Sequence, residues 1–66
     1  MRLDLHGIKH ENVQILVEDF ILLNETPLYI ITGNSERMKK IVIGILDDFK
    51  FKYMIKSHNL GEIIIL

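Results

Sequence analysis

The sequence contains no cysteine, no tryptophan and only one proline. Without cysteine, neither a disulfide framework nor a thiolate metal site can staple the fold, and the lack suits a reducing cytoplasm. With no low-complexity stretch, and with 48% hydrophobic and 26% charged residues, disorder is not expected. Long apolar runs are missing too. The longest, such as FILL and IIIL, fall far short of the roughly 20 residues that span a bilayer, so no membrane partner is expected. The opening MRLDLHG holds no apolar h-region, and no signal peptide is read there. Nor does one charge dominate: 8 Lys+Arg stand against 9 Asp+Glu, which excludes a generic basic coat for nucleic acid. Sixty-six residues are expected to form one domain. A domain of that size buries only about 60% of its unfolded surface, so its core must be efficient.

What is present is unevenly placed. Residues 1–35 carry two basic and five acidic groups, whereas residues 36–56 carry six basic and three acidic. An anionic partner is therefore expected at the second half. Residues 2–6 alternate, with Leu3 and Leu5 on one face and Arg2, Asp4 and His6 on the other, which predicts a half-buried strand ended by Gly7. Over residues 10–24, Val13, Leu16, Val17, Phe20 and Leu23 fall at helical spacing. Thr26 and Pro27 are expected to stop that helix. LYIIT is apolar on both faces and predicts an interior strand. GNS then turns the chain into a second helix near residues 35–49, with Met38, Ile41, Val42, Ile45, Leu46 and Phe49 as its stripe and Asn34 or Ser35 as N-cap. Gly44 inside this helix is expected to mark a close approach to a neighbour. FKYMIKS, HNLG and EIIIL read as strand, tight turn and strand.

The order βαβαββ predicts a two-layer α/β sandwich. Right-handed crossovers place both helices on one face of a four-stranded mixed sheet, and the last two strands form an antiparallel hairpin. The other sheet face is left uncovered. Leu3 and Leu5 must point to the helices, so Asp4 and His6 point to the open face.

The loops after the first two strands lie at the carboxyl ends of parallel strands, the usual ligand edge of an α/β sheet. The second loop, TGNS, offers Thr32, Gly33, Asn34 and Ser35 at a helix N-terminus, which favours anions. Arg37, Lys39 and Lys40 follow at once. Cations there oppose the macrodipole, at about 0.3–1 kcal/mol each, yet suit a bound phosphate. His6 is a candidate proton carrier because imidazole titrates nearest neutral pH, with Asp4 as its partner. No metal site is read from the spacing, and the set admits Mg²⁺-assisted as well as metal-free chemistry. A solvated basic face and a surface Asp-His pair are the plain alternatives.

The motif LDLHG (Leu3, Asp4, Leu5, His6, Gly7), followed by a helix, IITGNS and a second helix, resembles the Smr (small MutS-related) domain. That family carries LDLHG near its start and TGxG after its second strand. The resemblance runs through nearly the whole chain, down to GEIIIL. The second motif is matched at Thr32 and Gly33, whereas Ser35 stands where the family has glycine. Arg37 and Met38 replace a frequent His-Ser pair. The resemblance implies a fold similar to the C-terminal domain of translation initiation factor three. It also implies binding of RNA or DNA, with cleavage by Asp4 and His6 as in endonuclease members, and Gly7 belonging to the same motif. A non-catalytic RNA or ribonucleoprotein adaptor and a homodimeric interaction module are the alternatives.

Other residues favour plainer roles. His10 lies four residues after His6, but across a strand-turn-helix junction that gives the pair no defined metal geometry. His58 reads as a hairpin residue. Tyr29 and Tyr53 would stack on bases only if exposed; packing in the core or on the sheet face is the simpler expectation. Ile15 and Leu22 lie opposite the first helix's stripe. With the open sheet face they suit a homodimer or a protein partner.

Overall fold

A computed structural model describes residues 1–56 and 61–66. Six elements follow in the expected order: β1 (Arg2–Asp4), α1 (His10–Leu23), β2 (Leu28–Ile31), α2 (Glu36–Asp48), β3 (Tyr53–Met54) and β4 (Glu62–Ile65). They build a four-stranded mixed sheet in the order β1-β2-β4-β3. β1 pairs parallel to β2, and β4 runs antiparallel to both β2 and β3. The final strand therefore sits inside the sheet, and the β2-α2-β3 crossover steps over it. The HNLG turn and His58 lie outside the described residues, except for Gly61.

The register sorts every strand residue to a face. Leu3, Ile30 and Ile63 share one row, and Leu28, Ile65 and Tyr53 another. These rows meet Val13, Val17 and Ile21 of α1 and Met38, Val42, Ile45 and Leu46 of α2 in the core, which Leu5 completes. Each fully buried aliphatic side chain contributes about 1.5–3 kcal/mol, so this apolar layer dominates the stability of so small a fold. The opposite rows, Arg2-Tyr29-Ile64-Met54 and Asp4-Ile31-Glu62, form the helix-free face. That face is less bare than expected. Ile64 is 8% exposed, and Arg2 reaches diagonally over β2 to Glu62 at 3.7 Å.

Several local expectations change. In α1 the buried positions are Val13, Val17 and Ile21, while Leu16 and Leu23 of the expected stripe are exposed. Apolar residues run nearly all the way round this helix, so spacing alone could not choose its inner face. α1 ends at Leu23, before the proline: the Asn24 side chain donates to the Phe20 carbonyl at 2.9 Å. β1 stops at Asp4 rather than His6, and the third strand shrinks to Tyr53–Met54. Tyr53 packs against the core and Tyr29 is half-buried on the helix-free face.

α2 matches its expectation closely. Ser35 is the N-cap, its hydroxyl accepting from the Met38 N–H at 3.1 Å. At the other end Phe49 is the C-cap, not a stripe residue. The Lys50 N–H donates to the Asp47 carbonyl and the Phe51 N–H to the Leu46 carbonyl. That pair of bonds is a Schellman closure, and it holds Lys50 at φ 60°, where glycine is usual. Gly44 marks no close approach: a Cβ there would meet nothing within 4 Å.

Candidate functional site

The first motif turn is explained almost residue by residue. Leu3 packs against the core and Leu5 is fully buried in it. The Ile8 N–H donates to the Leu5 carbonyl at 3.0 Å, closing a four-residue turn with Gly7 at φ +78° in its third position. A positive φ there is the mark of a type II turn, which calls for glycine. The Asp4 carboxylate accepts from the backbone N–H of His6 at 2.9 Å, an Asx-type bond that bends the chain out of the strand. Asp4 thus orients the turn that carries His6, rather than bonding the imidazole. The imidazole itself is exposed and has no hydrogen bond among the described residues.

The second turn is explained the same way. Thr32 is buried, and its hydroxyl donates toward the carbonyls of Gly33 (3.1 Å) and Gly61 (3.3 Å). The Gly61 carbonyl also accepts from the N–H groups of Thr32 (2.8 Å) and Gly33 (3.2 Å). This clamp draws the two backbones together: a Cβ on Gly61 would lie 3.3 Å from the Cα of Gly33. Gly33 thus packs backbone to backbone against Gly61, the residue just before β4. Ser35 caps α2. Asn34 is exposed, and its side chain has no hydrogen bond among the described residues.

The two turns share one edge of the sheet. Asp4 pairs with Ile31, and the Leu5 N–H continues the ladder to the Ile31 carbonyl at 2.9 Å. Both chains then leave neighbouring parallel strands side by side. Asp4 lies on the helix-free face, as expected, and is exposed.

Of the three expected cations, Arg37 and Lys40 are exposed. Lys39 differs: it is 8% exposed, with its ammonium 3.4 Å from the Glu36 carboxylate. Its side chain is largely buried and its charge already has a partner, so it is not a free cation of the rim. Glu36 also sets an acid in the helix's first turn, which offsets the macrodipole cost.

His10 opens α1 and is half-buried, while Lys9 is the N-cap without a side-chain capping bond. Among the described residues no three His, Cys, Asp or Glu side chains are grouped as a metal site. None of the described helices is long and apolar enough to cross a membrane.

One feature escaped the reading of the sequence. A groove of about 510 Å³ lies between the β1–α1 turn and the first turns of α1, lined by Ile8, Lys9, Glu11, Asn12, Ile15 and Leu16. The signal for it was the apolar pair Ile15-Leu16 of α1, which one buried stripe cannot absorb. Comparison with protein-family models, with curated proteins and with solved structures gives no match for this chain.

Proposed function

We propose that the chain is an Smr-like nucleic-acid-binding domain that receives a phosphate backbone at the rim formed by the β1–α1 and β2–α2 turns. One observation supports this reading above the others. Where the two motif turns leave the sheet together, His6, Asn34, Arg37 and Lys40 are exposed and their side chains make no hydrogen bond or ion pair among the described residues. An imidazole, an amide and two cations are a set suited to phosphodiester oxygens, Arg37 through its planar fork of donors. Asp4, Gly7, Thr32, Gly33 and Ser35 shape and hold the turns. In the enzymatic form of this reading, an endonuclease on RNA or branched DNA, His6 moves the proton and Asp4 positions it.

A specific observation favours a second form, a non-catalytic RNA or ribonucleoprotein adaptor. The Asp4 carboxylate faces the His6 N–H, so nothing on the strand orients the imidazole as a general base. Incubating the purified chain with single-stranded RNA, double-stranded RNA and DNA, with and without Mg²⁺, separates the two. Cleavage that His6→Ala abolishes supports the endonuclease. Binding without product in every arm supports the adaptor. No binding to any of them at about 50 mM salt, where phosphate contacts are strongest, overturns both.

A further inference from the structure

We infer that the outward face of α1 is a docking surface for a basic amphipathic helix of a partner protein. Ile15, Leu22 and Leu23 are 66%, 64% and 80% exposed, and Leu16 adjoins them at 37%. On a helix, side chains three and four residues apart are neighbours. Asp19, itself exposed, stands at that spacing from all four and so lies at the centre of the patch. Glu11 lies one turn before Ile15, and Glu18 flanks both Ile15 and Leu22. Contiguous apolar surface of this kind marks interaction sites on small proteins. The groove beside Ile8, Ile15 and Leu16 continues the patch past the N-terminal end of α1 and gives an apolar side chain a seat.

Charge decides the occupant. No lysine or arginine occurs between Lys9, at the N-terminal lip of the groove, and Arg37, so the full charges along α1 itself (Glu11, Glu18 and Asp19) are all acidic. A phosphate backbone is repelled by them. A second copy docking through the same face about a two-fold axis sets Asp19 against its own counterpart, with no cation to compensate. A helix bearing leucine-type anchors at i, i+3, i+4 and i+7, flanked by lysines or arginines, satisfies both the apolar patch and Asp19. The inference is independent of the rim described above. It gives the domain a second surface, for a cationic partner, which meets the anion-binding rim at the β1–α1 turn.

The test uses two synthetic helical peptides with identical leucine stripes, one flanked by lysines and one by glutamates, read by fluorescence anisotropy. The lysine peptide is expected to bind at least about tenfold more tightly than the glutamate peptide, with the preference shrinking at high salt. Ile15→Gln with Leu22→Gln is expected to weaken binding by about tenfold or more, while the circular dichroism stays that of the parent. Asp19→Lys is expected to reverse the preference between the peptides. Equal binding of both, or binding of neither, overturns the inference. So does sedimentation showing a dimer of the chain alone that the Gln double variant dissociates, because the occupant is then a second copy.

Discussion

The same substitution made at two glycines should move stability in opposite directions. An alanine Cβ at either Gly7 or Gly44 meets nothing within 4 Å, so packing contributes to neither change. What differs is the backbone. Gly44 lies inside α2 and is exposed, so Gly44→Ala should stabilise the fold by about 0.5–1 kcal/mol through lower unfolded-state entropy. Gly7 is held at φ +78°, where an L side chain crowds the following carbonyl, so Gly7→Ala should cost roughly 1–2 kcal/mol. For a domain this small each kcal/mol shifts Tm by about 4–8 °C, which separates the two variants by roughly 6–24 °C. Thermal melts followed by circular dichroism, with urea titrations to check that m is unchanged, measure the difference. D-alanine at position 7, introduced by chemical synthesis, is the control and should restore or exceed parental stability. Two L-alanine variants that shift Tm the same way would refute the account of the turn.

Other outcomes follow from the caps and the rim. Lys50→Gly should raise stability by about 1 kcal/mol in urea titration, because the Schellman closure holds Lys50 in left-handed geometry. Ser35→Ala should lower it by about 0.5–2 kcal/mol by removing the acceptor of the Met38 N–H, with Ser35→Asp largely preserving it. If the rim holds phosphate, Arg37→Glu with Lys40→Glu should flatten the salt dependence of duplex DNA binding by close to two in the log-log slope. Lys39→Gln should leave that slope unchanged, since the ammonium already faces Glu36.

The fold was legible where local chemistry and tertiary demand agreed. Asn34 or Ser35 reads as the N-cap, and Ser35 caps α2; Met38, Val42, Ile45 and Leu46 of the expected stripe are buried, with Ile41 half-buried beside them. The LYIIT run reads as interior because both faces are apolar, and β2 is paired on both sides. The inner face of α1 was only partly legible, with Val13 and Val17 expected and buried, for the converse reason. With hydrophobic side chains at nearly every angle, the sheet chose Ile21 over Leu23, and only the assembled layer decides such a contest. The brevity of β3 was equally hidden: its ladder depends on β4 rather than on its own residues. At the candidate site the two expected turns do lie side by side, but several residues expected to meet a ligand are used by the turns themselves. Asp4, Thr32 and Ser35 are hydrogen-bonded to backbone groups of their own turns, which the same residue types would also suggest for ligand contacts. The burial of Lys39 could not be read from a charge pattern at all.

The direction of the strands has a practical corollary for how the domain can be tethered. β1 begins, and β4 finishes, beside Leu28, at the margin of the sheet remote from the LDLHG and TGNS turns. Polypeptide, a fluorophore or a solid support joined at either terminus would hang from that far margin and leave the turns facing outward. Tandem copies strung together end to end would likewise present all their rims unobstructed.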